Sequence, residues 1–277
     1  MIVIDGPAGA GCSTTAHEVA KRLNGRIINT GALYRGITYV ALDATLGLFS
    51  SIDYPDSLSV QRAIIENAIS RGGNVRLDVE NDAVYYNDYD ISHLIRTKRV
   101  DKDVSLVSSL PEVRKLVISR TRHLARQCSG RGEVTIVDGR SGYWEHSEDF
   151  KLAVFLDTDP RERARRRMME LGEDVDDYTV LQTIVAQIAE RDMLDATREV
   201  APLRPADRRN RKNISWVESY RTSRTVDINY MAADLAQKCH EHPKLQIYID
   251  NTDCSQEDVT RLIVRTYSGL LRQKEAE

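Results

Sequence analysis

The 277-residue chain carries 39 Lys and Arg against 42 Asp and Glu, a formal charge of −3 that excludes a general attraction to nucleic acid or anionic membrane. Hydrophobic residues at 41% and charged residues at 29% belong to a folded soluble protein and exclude a chain that is largely disordered. The four cysteines, Cys12, Cys128, Cys239 and Cys254, form no CxxC pair, which argues against a zinc site or a disulfide framework and fits a reducing compartment.

The first residues form an apolar strand, Ile2–Asp5, with no basic leader and too short an apolar run for a signal peptide or spanning helix. A cytoplasmic location without membrane contact is expected. Further short apolar runs recur at Arg26–Asn29, Glu133–Asp138, Lys151–Asp157 and Leu245–Asp250. Between them the helical period predicts helices at Ser13–Leu23, Ala32–Ala44, Ser57–Arg71, Val100–Ser109, Glu112–Arg126, Pro160–Leu171, Asp177–Asp192 and Gln256–Leu271. The alternation predicts an α/β fold, a parallel sheet flanked by helices, within one domain of residues 1–277. Two stretches depart from it. Val75–Val79 against Val84–Asn87 predicts a β-hairpin inside an inserted lobe at about 48–98. An extra segment at 206–245 opens with the basic run Arg208-Arg209-Asn210-Arg211-Lys212, which is expected to be a solvated face, with contact to nucleic acid or protein as the alternative.

The segment Gly6-Pro7-Ala8-Gly9-Ala10-Gly11-Cys12-Ser13-Thr14 lies between strand and amphipathic helix, the context of a G-x-x-x-x-G-K-[ST] phosphate loop. Glycines let successive N–H groups point inward, and the helix start adds its own donors and dipole. Phosphate oxygens of a triphosphate such as ATP fit there, and the Ser13 hydroxyl stands where Mg²⁺ is held. The ordinary alternative is a glycine-rich turn that binds nothing. At the lysine position stands Cys12, which cannot supply the point charge that acts as phosphoryl transfer proceeds. Loss of one preorganised donor costs on the order of 10²–10³ in rate. Lys21 is nine residues along the helix, about 13 Å away, and does not replace it. The helix start lowers the Cys12 thiol pKa and bound phosphates raise it, so a neutral thiol is expected in the complex, a covalent or redox role being the alternative.

Seven ordered motifs resemble the cytidylate kinase family over most of the chain. Beside the phosphate loop these are Asn29-Thr30-Gly31-Ala32-Leu33-Tyr34-Arg35, Asp90-Ile91-Ser92-His93-Leu94-Ile95-Arg96-Thr97, Leu110-Pro111-Glu112-Val113-Arg114, Val137-Asp138-Gly139-Arg140, Glu162-Arg163-Ala164-Arg165-Arg166-Arg167, and the run from Glu190-Arg191-Asp192 through Asp195 and Arg198 to Ala201-Pro202-Leu203 and Pro205. The resemblance implies a P-loop kinase fold with a lid at about 159–176. It also implies an ATP site over Gly6, Ala8, Gly9, Ala10, Gly11, Cys12, Ser13 and Thr14, with Mg²⁺ near Ser13 and Asp138. For a nucleoside monophosphate it implies contacts from Thr30, Tyr34, Arg35, Ser92, Arg96, Asp138, Gly139, Arg140, Ser141, Arg191, Asp195 and Arg198.

Within that set Arg35, Arg140 and Arg198 would grip the acceptor phosphate and Asp195 its ribose, while Ser92 and Arg96 belong to the base-contacting segment. Guanidinium forks from three distant places suit one phosphate, although each alone would ordinarily be a surface ion pair. For Asp138 the alternative is a helix cap or strand-end salt bridge. Arg163, Arg166 and Arg167 share a helix face at i, i+3 and i+4, and Arg140, Arg163, Arg167 and Arg198 are the expected catalytic charges. Ser141 stands where the family has an aspartate that reads the cytosine edge, which leaves base preference open. Tyr143 or Trp144 could stack on a base, but packing is expected. The implied activity is transfer of the ATP γ-phosphoryl to CMP or dCMP. Its rivals are a degenerate kinase that binds nucleotide in a regulatory role, favoured by Cys12 and Ser141, and a phosphotransferase with a different acceptor.

Overall fold

The computed structural model describes residues 1–49, 57–197, 202–203, 217–221, 235 and 244–272. In chain order its elements are β1 (Ile2–Asp5), α1 (Cys12–Leu23), β2 (Arg26–Asn29), α2 (Thr30–Phe49), α3 (Ser57–Arg71), β3 (Val75–Asp78), β4 (Ala83–Tyr86), β5 (Tyr89–Asp90), α4 (Lys98–Ser109) and α5 (Pro111–Gly130). Then follow β6 (Thr135–Gly139), the short α6 (Gly142–Glu145), β7 (Leu152–Asp157), α7 (Pro160–Leu171), α8 (Tyr178–Thr197), β8 (Val217–Arg221), β9 (Leu245–Asp250) and α9 (Gln256–Arg272). They divide into two compact units, Met1–Ile27 with Gly132–Glu277, and Ile28–Arg131.

The first unit is built on a sheet in the order β2-β6-β1-β7-β9-β8, with parallel pairs β1–β6, β1–β7, β7–β9 and β8–β9. β1 is central, and the chain goes to β6 on one side and to β7 and β9 on the other. That divergence opens a crevice beyond the carboxyl ends of the strands, where open α/β sheets take ligands. The strands are nearly continuous apolar runs because both faces are covered. On one face Ile2, Ile4, Ile136, Leu152, Val154, Leu156, Ile247 and Ile249 pack on Ala16 and Val19 of α1 and on Val259, Leu262, Ile263, Tyr267 and Leu270 of α9. The α9 positions follow an i, i+3, i+4 rhythm, so one stripe is buried. Each such aliphatic side chain contributes about 1.5–3 kcal/mol by leaving water. A smaller cluster of Ala164, Met168, Leu181, Ile184 and Ile188 joins α7 to α8.

The second unit packs α2 to α5 with the antiparallel sheet β3-β4-β5. The predicted hairpin is present in its expected register region, Val75 facing Tyr86 and Leu77 facing Val84. The third strand, two residues long, falls outside the sequence expectation. The helical starts shift where side chains cap. Asn29 Oδ1 accepts from Ala32 N at 2.9 Å, so α2 starts at Thr30 instead of Ala32. Asp177 Oδ1 accepts from Thr179 N and Val180 N at 2.9 and 3.1 Å, which leaves Asp177 outside α8. No helix among the described residues is long and apolar enough to cross a membrane. Most of the extra segment at 206–245, with its basic run, lies outside the described residues.

Candidate functional site: a phosphate loop with a neutral thiol

Between β1 and α1 the loop is held by its carbonyls. Arg163 Nη1 donates to Ala8 O at 3.1 Å, and Asn251 Nδ2 donates to Ala10 O at 2.8 Å. Within the loop Ala10 N donates to Pro7 O at 3.2 Å. Gly6 is required by space, since a Cβ there would stand 2.4 Å from Leu156 O. Gly11 is required by conformation, with φ at 90° in the left-handed region. As the cap residue of α1 it offers no side-chain partner, and no acid occupies the first turn. The first N–H groups of the helix therefore lack an intrahelical acceptor and face a position that favours an anion.

At the carboxyl ends of the strands, register places Asp5 beside Gly139 and Ile4 beside Asp138. Ser13 Oγ donates to Asp138 Oδ2 at 2.5 Å. Asp138 is buried, and Asp5 accepts from the backbone of Gly142 and Tyr143 at 3.1 and 2.8 Å. Burial pushes the Asp5 carboxyl up to about 7, against the pull of those two N–H donors and with help from Glu145 and Asp138. The Cys12 thiol is pushed up well above its ordinary value, first by burial and then by Asp138 and Asp5. The thiol is thus neutral even before any phosphate arrives, and the lowering expected from the helix start loses to burial. Ser13 and Asp138 offer the hard oxygens that Mg²⁺ prefers. The donor set fits that ion.

Arg163, Arg166 and Arg167 of α7 separate instead of sharing one open face. Arg163 is buried, with Nε on Thr158 O at 3.0 Å and Nη2 on Asp192 at 2.6 Å in addition to Ala8 O. It braces the loop from beneath. Arg167 is exposed and pairs with Glu170 at 2.9 Å. Arg166 lies between these extremes, half-buried, with Nε on Glu162 Oε1 at 3.0 Å and Nη2 on Asn251 O at 3.5 Å. A cavity of about 860 Å³ adjoins Pro7 and Arg163, rimmed by Asp157, Asp159, Asp250 and Asp253.

Of the expected acceptor residues in this unit, Arg140 is ion-paired with the buried Asp195, and Leu203 N donates to Asp195 O at 2.8 Å. Gly139 follows Asp138, Ser141 is buried before α6, and Arg191 is half-buried on α8. Arg198 lies outside the described residues. Tyr143 packs, as expected, against Trp144 edge-on at 5.0 Å and against Phe150 at 5.8 Å. In the second unit Thr30 and Tyr34 are buried at the start of α2, and Arg35 reaches Asp101 at 2.5 Å and Ile95 O at 3.2 Å. Ser92 Oγ accepts from Val84 N at 2.9 Å, and Arg96 is exposed.

Sequence reasoning missed Arg114 as a site candidate: its guanidinium is buried and stands over the Tyr34 ring, 5.8 Å from its centre. It missed Asn251 and Asp5 as well. A charged residue on an amphipathic helix gives no sequence signal of burial, and Asn251 reaches the loop only through tertiary contact.

Comparison with known proteins agrees with this geometry. The family model described as cytidylate kinase matches residues 2–209. The chain is 36% identical to the cytidylate kinase of Fusobacterium nucleatum over 207 residues, covering 75% of this chain and 86% of that one. It is 37% identical to the cytidylate kinase of Desulforamulus reducens over 209 residues, covering 74% and 85%, and 38% identical to that of Streptococcus thermophilus over 209 residues, covering 74% and 84%. A braced glycine loop, a Ser–Asp pair at the strand ends and these likenesses together make the chain a member of the cytidylate kinase family.

Proposed function

We propose that this chain is a cytoplasmic phosphotransferase that moves the γ-phosphoryl of ATP to a pyrimidine nucleoside monophosphate, CMP or dCMP. The observation that carries the reading is the phosphate loop, whose helix start has no side-chain cap, with the Ser13–Asp138 pair, in a chain of this family. Such transfer needs positioning and electrostatics and no side-chain nucleophile. The loop N–H groups bind the donor phosphates. Ser13 and Asp138 would hold Mg²⁺, whose charge neutralises the donor phosphates. Asp5 fixes the Gly142–Tyr143 turn that follows Arg140. In the proposal Arg35, Arg140 and Arg198 take the acceptor phosphate and Asp195 its ribose, so the Arg140–Asp195 ion pair must open to the ligand. Ser141 offers a hydroxyl to the base where an acid would select cytosine's amine.

The test is product analysis after incubation with Mg·ATP and each of CMP, dCMP, UMP and AMP. Diphosphate formed from one pyrimidine nucleotide and lost on Arg140→Ala supports the reading. A second reading is favoured by Cys12: a nucleotide-binding protein without turnover. ATP binding with no diphosphate from any acceptor would select it.

A further inference from the structure

A phosphate loop of this spacing carries a lysine at position 12, and here the position holds a cysteine, which offers no positive charge and is turned toward Gly6, with Sγ 2.7 Å from where a Gly6 Cβ would stand. Any side-chain charge beside the donor phosphates, in addition to that of Mg²⁺, then comes from a residue other than Cys12; Arg140, whose charge acts on the Cys12 thiol, is ion-paired with Asp195. Lys21 is exposed far along α1. Arg163 spends its guanidinium on Ala8 O, Thr158 O and Asp192, and Arg167 turns out to Glu170.

Arg166 is placed differently. Its Nη1 lies 3.9 Å from the position of a Cβ on Gly11, the residue whose backbone opens α1. Glu162 holds Nε and the Asn251 carbonyl holds Nη2, while the Asn251 side chain holds Ala10 O. One residue therefore registers both the loop and the guanidinium. Nη1 has no protein acceptor among the described residues, and Glu162 of α7 with Asn251 of the β9–α9 connection holds the guanidinium near the loop. We propose that Arg166 supplies the positive charge to the donor phosphates that Cys12 cannot, with Glu162 and Asn251 as its positioning residues. The assignment rests on the nucleotide reading of this loop. It makes the cation a side chain of α7 instead of α1.

Calorimetry with Mg·AMP-PNP and, separately, AMP tests this without turnover. Arg166→Gln should weaken AMP-PNP on the order of tenfold to a hundredfold, the scale of one charge-assisted contact, and leave AMP within about twofold. Arg166→Lys should restore a large part. In a Cys12→Lys background, Arg166→Gln should cost less than about threefold, because the loop then has its own cation. Equal weakening of both nucleotides, an undiminished loss in the Cys12→Lys background, or no binding of AMP-PNP by the unsubstituted chain would overturn the assignment. A unit that unfolds on Arg166→Gln is separated from this by Arg166→Lys, which keeps charge and stem. If AMP-PNP shows the predicted pattern while no monophosphate is phosphorylated, the kinase reading fails and the Arg166 assignment stands.

Discussion

Replacing Arg163 with Met separates a bracing arginine from a catalytic one. The sequence places Arg163 among the transfer charges, whereas its guanidinium is committed to Ala8 O, Thr158 O and Asp192. Breaking a buried ion pair by removing one partner costs about 3–5 kcal/mol because the other charge stays behind. Asp192 keeps a quarter of its side chain exposed, so the lower end applies, about 3 kcal/mol. Two carbonyls also lose a donor, one of them in the phosphate loop. Urea unfolding should therefore show Arg163→Met about 3 kcal/mol less stable, and Arg163→Met with Asp192→Asn should recover about 1 kcal/mol of that loss. Nucleotide affinity should fall with the loosened loop. A variant of unchanged stability with a lowered kcat alone would refute the bracing role and return Arg163 to the catalytic set.

Asp5 gives a pH signature. Its carboxyl is raised from 3.8 to about 7 in the fold, so between those values the native state holds a proton that the unfolded chain has released. Its contribution is present below about pH 4 and is lost as pH rises through 7, with a slope of up to about 1.4 kcal/mol per pH unit. Urea midpoints from pH 5 to 8 should fall more steeply for the unsubstituted chain than for Asp5→Asn; parallel curves would contradict this origin. Asn251→Ala leaves buried Ala10 O without its side-chain amide and should cost about 1–3 kcal/mol, with weaker binding of AMP-PNP, read by thermal unfolding and calorimetry.

Much of the fold was legible because its signals are local. β1, β2 and β9 coincide with their apolar runs, and α3 and α7 with their periodic stretches, since strands covered on both faces read as short continuous apolar runs and helix faces repeat at 3.6 residues. The phosphate loop was legible for the same reason, its glycines and Ser13 being contiguous. Other features depend on what distant segments meet. The spacing of Arg163, Arg166 and Arg167 correctly puts them on neighbouring positions but does not reveal that Asp192 and Ala8 draw one of them inward. The raised thiol at Cys12 comes first from its burial and then from Asp138 and Asp5, which the register of β1 and β6 brings to neighbouring strand ends.

The central claim is transfer of a phosphoryl group from the loop-bound donor to a pyrimidine monophosphate. Phosphorus NMR of the protein with Mg·ATP and CMP tests it most directly. The account predicts CDP and ADP rising in equal amounts, with no phosphate released; ATP that stays intact beside a protein that binds it would contradict the claim.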